Sequence, residues 1–224
     1  MLTSISHFDR IFRTAGPIAL IAGFTMSAAN LPGPTLDENR SEKKSETVVL
    51  AGGCFWGVQA VFDALKGVSS AVSGYAGGSL NTAHYEIVST GSTGHAESVQ
   101  ITFDPSQISF GQLLKIYFSV AHDPTELNRQ GPDEGTQYRS EIFYTSDEQK
   151  RIAEAYIQQL TGAKAFHGRI VTKVAPLQAF YRAEDYHQGY FRAHPGQGYC
   201  QAVIGPKVAK VRKHFGPLLI THGS

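Results

Sequence analysis

Three observations predict a two-layer α/β domain in which helices pack on a mixed β-sheet. Runs of β-branched and apolar residues alternate along the chain with stretches whose apolar residues recur every three or four positions. Ser109 and Ser146 each stand three residues ahead of a glutamine, the pattern that opens a helix, just before such periodic stretches. Hydrophobic residues make up 42% of the chain against 17% charged, with 10 Tyr and 13 Phe, which is enough apolar area for a core that needs no staple. At 224 residues the chain suits one domain with an extension better than two full domains.

Taken in order, Arg10 and Arg13 precede an apolar run from Ala15 to Ala29 that closes on Ser27-Ala28-Ala29. That is the order of a secretory signal peptide, assigned to residues 1–29. The run is shorter than the about 20 apolar residues a bilayer span needs, and no cysteine near its end could carry a lipid. Export to a periplasmic or extracellular space is the expectation, with a cytoplasmic location as the alternative. Asn30 to Glu46 has linker composition, so the folded domain is expected over residues 47–224.

Thr47 to Ala51 reads as a buried strand, and Gly52-Gly53 lets the backbone turn sharply. Val58, Val61, Phe62 and Leu65 then recur at helical spacing, with Gly67 available to end the helix. Cys54 therefore falls at a strand-to-helix turn. Val99, Ile101 and Phe103 alternate with polar neighbours as a half-buried strand. Ser109 with Gln112 opens a helix through Leu113, Ile116, Tyr117 and Val120; Ser146 with Gln149 opens another that ends at Gly162; and Ile170 to Val174 looks like a further strand. The order strand, helix, strand, helix, strand, helix gives one mixed layer pair, a ferredoxin-like α+β sandwich. Lys207, Lys210, Arg212 and Lys213 read as the wet face of a last helix.

A formal net charge of +1 gives no reason to expect nucleic acid as a partner. Cys54 and Cys200 are the only two cysteines, no C-x-x-C pair occurs, and the nine histidines are scattered, so no metal site is expected. A thiol is nucleophilic as thiolate, and a helix N-terminus offers amide donors that favour that form at Cys54. The rival reading is a structural Cys54–Cys200 disulfide in an exported, non-enzymatic module. Gly52, Gly53 and Gly57 around Cys54-Phe55-Trp56 favour chemistry, because they clear the backbone beside the sulfur while two aromatics stand next to it. A cysteine hydrolase using His95 or His187 as base is a second alternative.

The segment Gly52-Gly53-Cys54-Phe55-Trp56-Gly57 resembles the signature of the A-type peptide methionine sulfoxide reductases. Gly74-Tyr75-Ala76-Gly77-Gly78, Tyr85, Thr93-Gly94-His95-Ala96-Glu97 and Gly135-Thr136-Gln137-Tyr138-Arg139-Ser140 resemble that family's remaining motifs in the same order. The resemblance runs from about Thr47 to at least Cys200.

The resemblance implies that Cys54 attacks the sulfur of methionine-S-sulfoxide, free or in proteins, while Glu97 supplies a proton to the oxygen. It implies that Tyr85 and Tyr138 hold that oxygen, that Asp133 helps hold the site, and that Phe55 and Trp56 wall the ε-methyl group. Cys54 would become a sulfenic acid, which condenses readily with a second thiol. Cys200, in the glycine-rich Gly196-Gln197-Gly198-Tyr199-Cys200 segment, is the resolving cysteine on this resemblance. No cofactor is implied beyond an external dithiol such as a thioredoxin-like protein, which would reopen the disulfide directly because no further tail cysteine exists. A monomer is expected. Thr82-Ala83 departs from the Asn-Pro that relatives often carry ahead of the tyrosine matched by Tyr85.

Overall fold

The computed structural model describes residues 31–38 and 44–220, so the expected signal peptide lies outside the described residues. In chain order the elements are β1 (Glu46–Gly52), α1 (Phe55–Phe62), β2 (Val68–Ala76), α2 (Tyr85–Val88), β3 (Ala96–Phe103), α3 (Phe110–Ile116) and the two-residue pair β4 (Arg129–Gln130) and β5 (Asp133–Glu134). They continue with β6 (Ser140–Tyr144), α4 (Asp147–Gly162), β7 (Lys173–Pro176), β8 (Phe180–Arg182), α5 (Tyr190–Ala193) and α6 (Gly205–Phe215).

The main sheet has the order β7-β6-β1-β3-β2-β8, antiparallel throughout except for the parallel β6–β7 pair. Its inner four strands, β6-β1-β3-β2, with α1 and α3 as crossovers, form the expected ferredoxin-like sandwich, which β7 and β8 widen at either edge. Alternation along β1 sends Val48 and Leu50 to the helical face and Val49 and Ala51 to the other. The helical face meets Val58, Val61 and Phe62 of α1, Leu113, Leu114 and Ile116 of α3, and Ile152, Tyr156 and Leu160 of α4 in one core. A smaller cluster of Val49, Ala51, Ala76, Ala96 and Phe143 forms behind the sheet.

Several expectations shift in detail. The β3 strand is more than half-buried, since Ala96 to Val99 are all enclosed between β1 and β2 with side chains packed on both faces. The α1 helix ends at Phe62, and Leu65 reaches the core from the following turn, where Gly67 adopts φ +84°. The strand expected from Ile170 starts only at Lys173, because the Val171 amide donates to the Pro124 carbonyl (2.8 Å) and not to a strand neighbour. Ser109 and Gln112 form the full reciprocal capping box. Ser146 caps α4, but Gln149 accepts from the Thr145 amide (3.0 Å), one residue earlier than a closed box requires.

Residues 31–38, expected to belong to a linker, pack as a strap across α3 and α4. Leu31 is buried in the main core, and the Tyr156 hydroxyl donates to the Pro32 carbonyl (2.8 Å). Asp37 Oδ1 accepts from the Gly111 amide (2.9 Å), and Glu38 Oε1 accepts from the Phe110 amide. Two carboxylates thereby sit at the positive end of α3, which favours negative charge. Among the described residues no helix is long and apolar enough to cross a membrane.

Candidate active site

The turn between β1 and α1 is built for close approach. Gly53 has φ +86°, and a Cβ there would stand 2.5 Å from Cγ of Gln130, so only glycine fits. The turn delivers Cys54 as the N-cap of α1, half-buried and unpaired. Beneath it, α3 continues as a π-helical turn, Tyr117–Ala121, whose Tyr117 hydroxyl donates to the Ala51 carbonyl (2.6 Å). His122 lies against Gly52 in the same network, and burial pushes its pKa down to about 3, so it is neutral.

Cys54, Phe55, Trp56, Tyr85, Glu97, Asp133 and Tyr138 line one pocket of about 240 Å³ together with Gln197 and Tyr199. Seven residues singled out from sequence thus meet in one place. They arrive from α1, the start of α2, β3, β5 and the short turn Thr136–Tyr138. Among the described residues no group of three or more His, Cys, Asp or Glu could hold a metal ion.

Glu97 is 2% exposed, and its Oε2 accepts from the Phe55 amide at 3.0 Å. Burial above all, opposed by that amide and aided by the charge of Asp133, raises its pKa to about 8, so the carboxyl keeps its proton at neutral pH. The Cys54 thiol is also pushed up, first by burial and then by the charge of Glu97, with Asp133 adding. The Trp56 amide and the Tyr199 hydroxyl, dipoles beside the sulfur, work against this. The helix end alone therefore does not deliver the thiolate expected from sequence, because the Phe55 amide is occupied by Glu97. With Glu97 protonated, its repulsion of the thiolate falls away.

Two contributors, Tyr199 and Gln197, were given no role from the sequence, and a third, His187, was offered there only as a hydrolase base. Tyr199 donates to Asp133 Oδ2 (2.5 Å), and Gln197 joins the pocket wall. His187, 1% exposed, accepts the Trp56 indole N–H on Nδ1 at 3.0 Å and lies against Phe55 and Tyr85, with ring centroids 5.0 and 4.5 Å away. Trp56 stacks on Tyr190 at 3.6 Å, so the indole is clamped from two sides. All of these partners come from 187–199, a region without helical or strand periodicity, and only its aromatic content could have flagged it.

Cys200 does not line the pocket. It is fully buried in a π-helical turn, Cys200–Ile204, its amide donating to Gln197 Oε1 (3.2 Å), while Gly196 to Gly198 are exposed. Both cysteines are free thiols. Neither histidine offered as a hydrolase base hydrogen-bonds Cys54: His95 is held by the Gly78 amide and the Ser79 carbonyl, and His187 by Trp56.

A buried thiol that shares a small aromatic-walled pocket with a protonated carboxyl and tyrosine hydroxyls defines a thiol-based oxidoreductase. Comparison with known proteins gives the family: the model for peptide methionine sulfoxide reductase matches residues 46–218. A peptide methionine sulfoxide reductase of Mesorhizobium japonicum is 54% identical over 81% of this chain and 93% of its own length. One from Deinococcus radiodurans is 52% identical over 78% of this chain and 84% of its own. Among solved structures, methionine sulfoxide reductase A of Corynebacterium diphtheriae aligns with TM-score 0.61 at 36% identity, covering 78% of this chain and 87% of that one. Reduced Mxr1 from Saccharomyces cerevisiae aligns with TM-score 0.60 at 32% identity, covering 72% and 92%. The chain belongs to the peptide methionine sulfoxide reductases of the A type, thiol-dependent oxidoreductases acting on methionine-S-sulfoxide.

Proposed function

We propose that Cys54 is the nucleophile and Glu97 the general acid of this reductase. One observation carries the assignment: the thiol and a carboxyl that stays protonated at neutral pH share a single pocket. The sulfoxide oxygen accepts hydrogen bonds from the Glu97 carboxyl and from the Tyr85 and Tyr138 hydroxyls, which polarises the sulfur toward attack. Burial holds both phenols neutral and able to donate. The ε-methyl group lies against Phe55 and Trp56, and Asp133 fixes Tyr199 at the rim.

Attack of Cys54 Sγ on the substrate sulfur, with protonation of the oxygen by Glu97, forms an S–S bond, and passage of the protonated oxygen to Sγ then breaks both that bond and the substrate S–O bond. The substrate sulfur gains two electrons and leaves as methionine, Cys54 loses two and becomes a sulfenic acid, and the thiol proton restores Glu97. The Cys200 thiol then attacks the sulfenic sulfur, releasing water and forming a Cys54–Cys200 disulfide. An external dithiol of the thioredoxin class reduces that disulfide by exchange. The apolar run and small residues of 15–29 support export as the setting for this repair.

Purified protein is incubated with each separated epimer and no reductant. One methionine per enzyme from the S epimer, with Cys54 joined to Cys200, is expected. Methionine formation that survives Cys54→Ser would overturn the assignment.

A further inference from the structure

The sequence places Lys207 on the wet face of α6, yet the structure turns it inward. Its Nζ lies 3.7 Å from where a Cβ on Gly57 would stand, and its Cδ lies at the same distance. Gly57 is the third residue of α1, and its amide donates to the Cys54 carbonyl (3.1 Å). The ammonium therefore rests against the first turn of the helix that Cys54 caps, in space a side chain at position 57 would fill. Among the described residues the Lys207 side chain makes no hydrogen bond and no salt bridge, so its charge is not committed elsewhere.

Burial pulls the lysine toward its neutral form, an expense a cation avoids only beside an anion. The groups that sustain its charge are Cys54, Asp133 and Glu126; Lys210 on its own helix opposes it, and the neighbouring His122 is neutral. Cys54 has the complementary problem. Asp133 bears on it with negative charge, Glu97 adds to that only once it has lost its proton, Tyr85, Tyr138 and Tyr199 are neutral phenols, and the Phe55 amide at the start of α1 is taken by Glu97.

We propose that Lys207 is a positioning residue for catalysis, its ammonium stabilising the Cys54 thiolate across the first turn of α1. The inference rests on Cys54 being the attacking thiol. Opposite charges favour each other's ionised forms, so the effect is reciprocal.

The test follows alkylation of Cys54 by iodoacetamide as a function of pH in the reduced full-length protein, quantified on the Cys54 peptide by mass spectrometry. Lys207→Met is expected to raise the alkylation midpoint by about one pH unit and slow the reaction about tenfold at pH 7. Lys207→Arg should recover most of the loss, which a purely structural role would not predict. Should Lys207→Met fail to fold, the reciprocal measurement decides: in Cys54→Ser the Lys207 amine, followed by NMR titration, should lose its proton at lower pH than in the parent. An unchanged alkylation midpoint in Lys207→Met, or an unchanged lysine titration in Cys54→Ser, overturns the proposal. Failure of the underlying assignment reads differently, as sulfoxide reduction persisting in Cys54→Ser.

Discussion

The amide of Phe55, the first residue of α1, donates to Glu97 Oε2 at 3.0 Å, and so the backbone that follows Cys54 holds the buried carboxyl. This bond places the Glu97 carboxyl beside Cys54 and ties its position to the Gly52-Gly53 turn.

The alkaline limb of activity should report Glu97. Its proton is held below about pH 8 and lost above it, so single-turnover methionine formation should fall as pH rises through about 8. Glu97→Gln should lower the rate by about 10²–10⁴-fold, the usual worth of a positioned acid, and abolish that limb. Rapid-quench measurement of methionine between pH 6 and 10 checks both.

Tyr199→Phe should affect stability and thiol reactivity together. It removes the hydroxyl that donates to Asp133 and whose dipole, in the pocket shared with Cys54, favours the thiolate. Leaving a carboxylate short of its donor costs about 1–3 kcal/mol. A lowered denaturation midpoint with slower Cys54 alkylation is the expected pair; unchanged alkylation would mean the hydroxyl does not act on the sulfur.

Cys200→Ser should uncouple the two halves of the cycle. One methionine per enzyme should still form from the S epimer, but Cys54 should remain a sulfenic acid that dimedone traps, and thioredoxin-driven turnover should stop. Intact-mass spectrometry after a single turnover distinguishes the adduct from a disulfide.

The strap should make stability depend on pH. Burial chiefly, with Glu46 and Asp37 adding and the Phe110 amide opposing, lifts Glu38 to about 7. Between its ordinary value of 4.5 and about 7 the folded protein holds a proton that the unfolded chain has released, so stability falls as pH rises through that window. Glu97 adds a loss of the same sign up to about pH 8. Glu38→Gln should flatten the part below pH 7, seen in melting temperatures taken from pH 5 to 9.

What was legible in the sequence was local. The Gly52-Gly53 turn, the Ser109–Gln112 capping box and the apolar run of β1 are each written within a few residues, and so are the motifs around Cys54, Glu97 and Tyr138. What escaped was made by distance. Trp56 meets His187 across 131 positions, and Asp133 meets Tyr199 across 66, with nothing near either residue to announce its partner. The strap looked like a linker because its polar residues, Asp37 and Glu38, find their donors only at the start of α3. Lys207 looked solvated because a basic helix end usually is, and its contact with the first turn of α1 is made to Gly57, far earlier in the chain.

In the proposed cycle the enclosed π-turn at Cys200 would act as a timer. Cys200 has no exposed surface, so its sulfur would reach the Cys54 sulfenic acid only when Cys200–Ile204 opens, and the intermediate would wait on that opening. Substitutions that loosen this turn would shorten the wait while exposing the second thiol to every passing oxidant. The fold thus trades the speed of closing each cycle against the number of cycles the molecule survives.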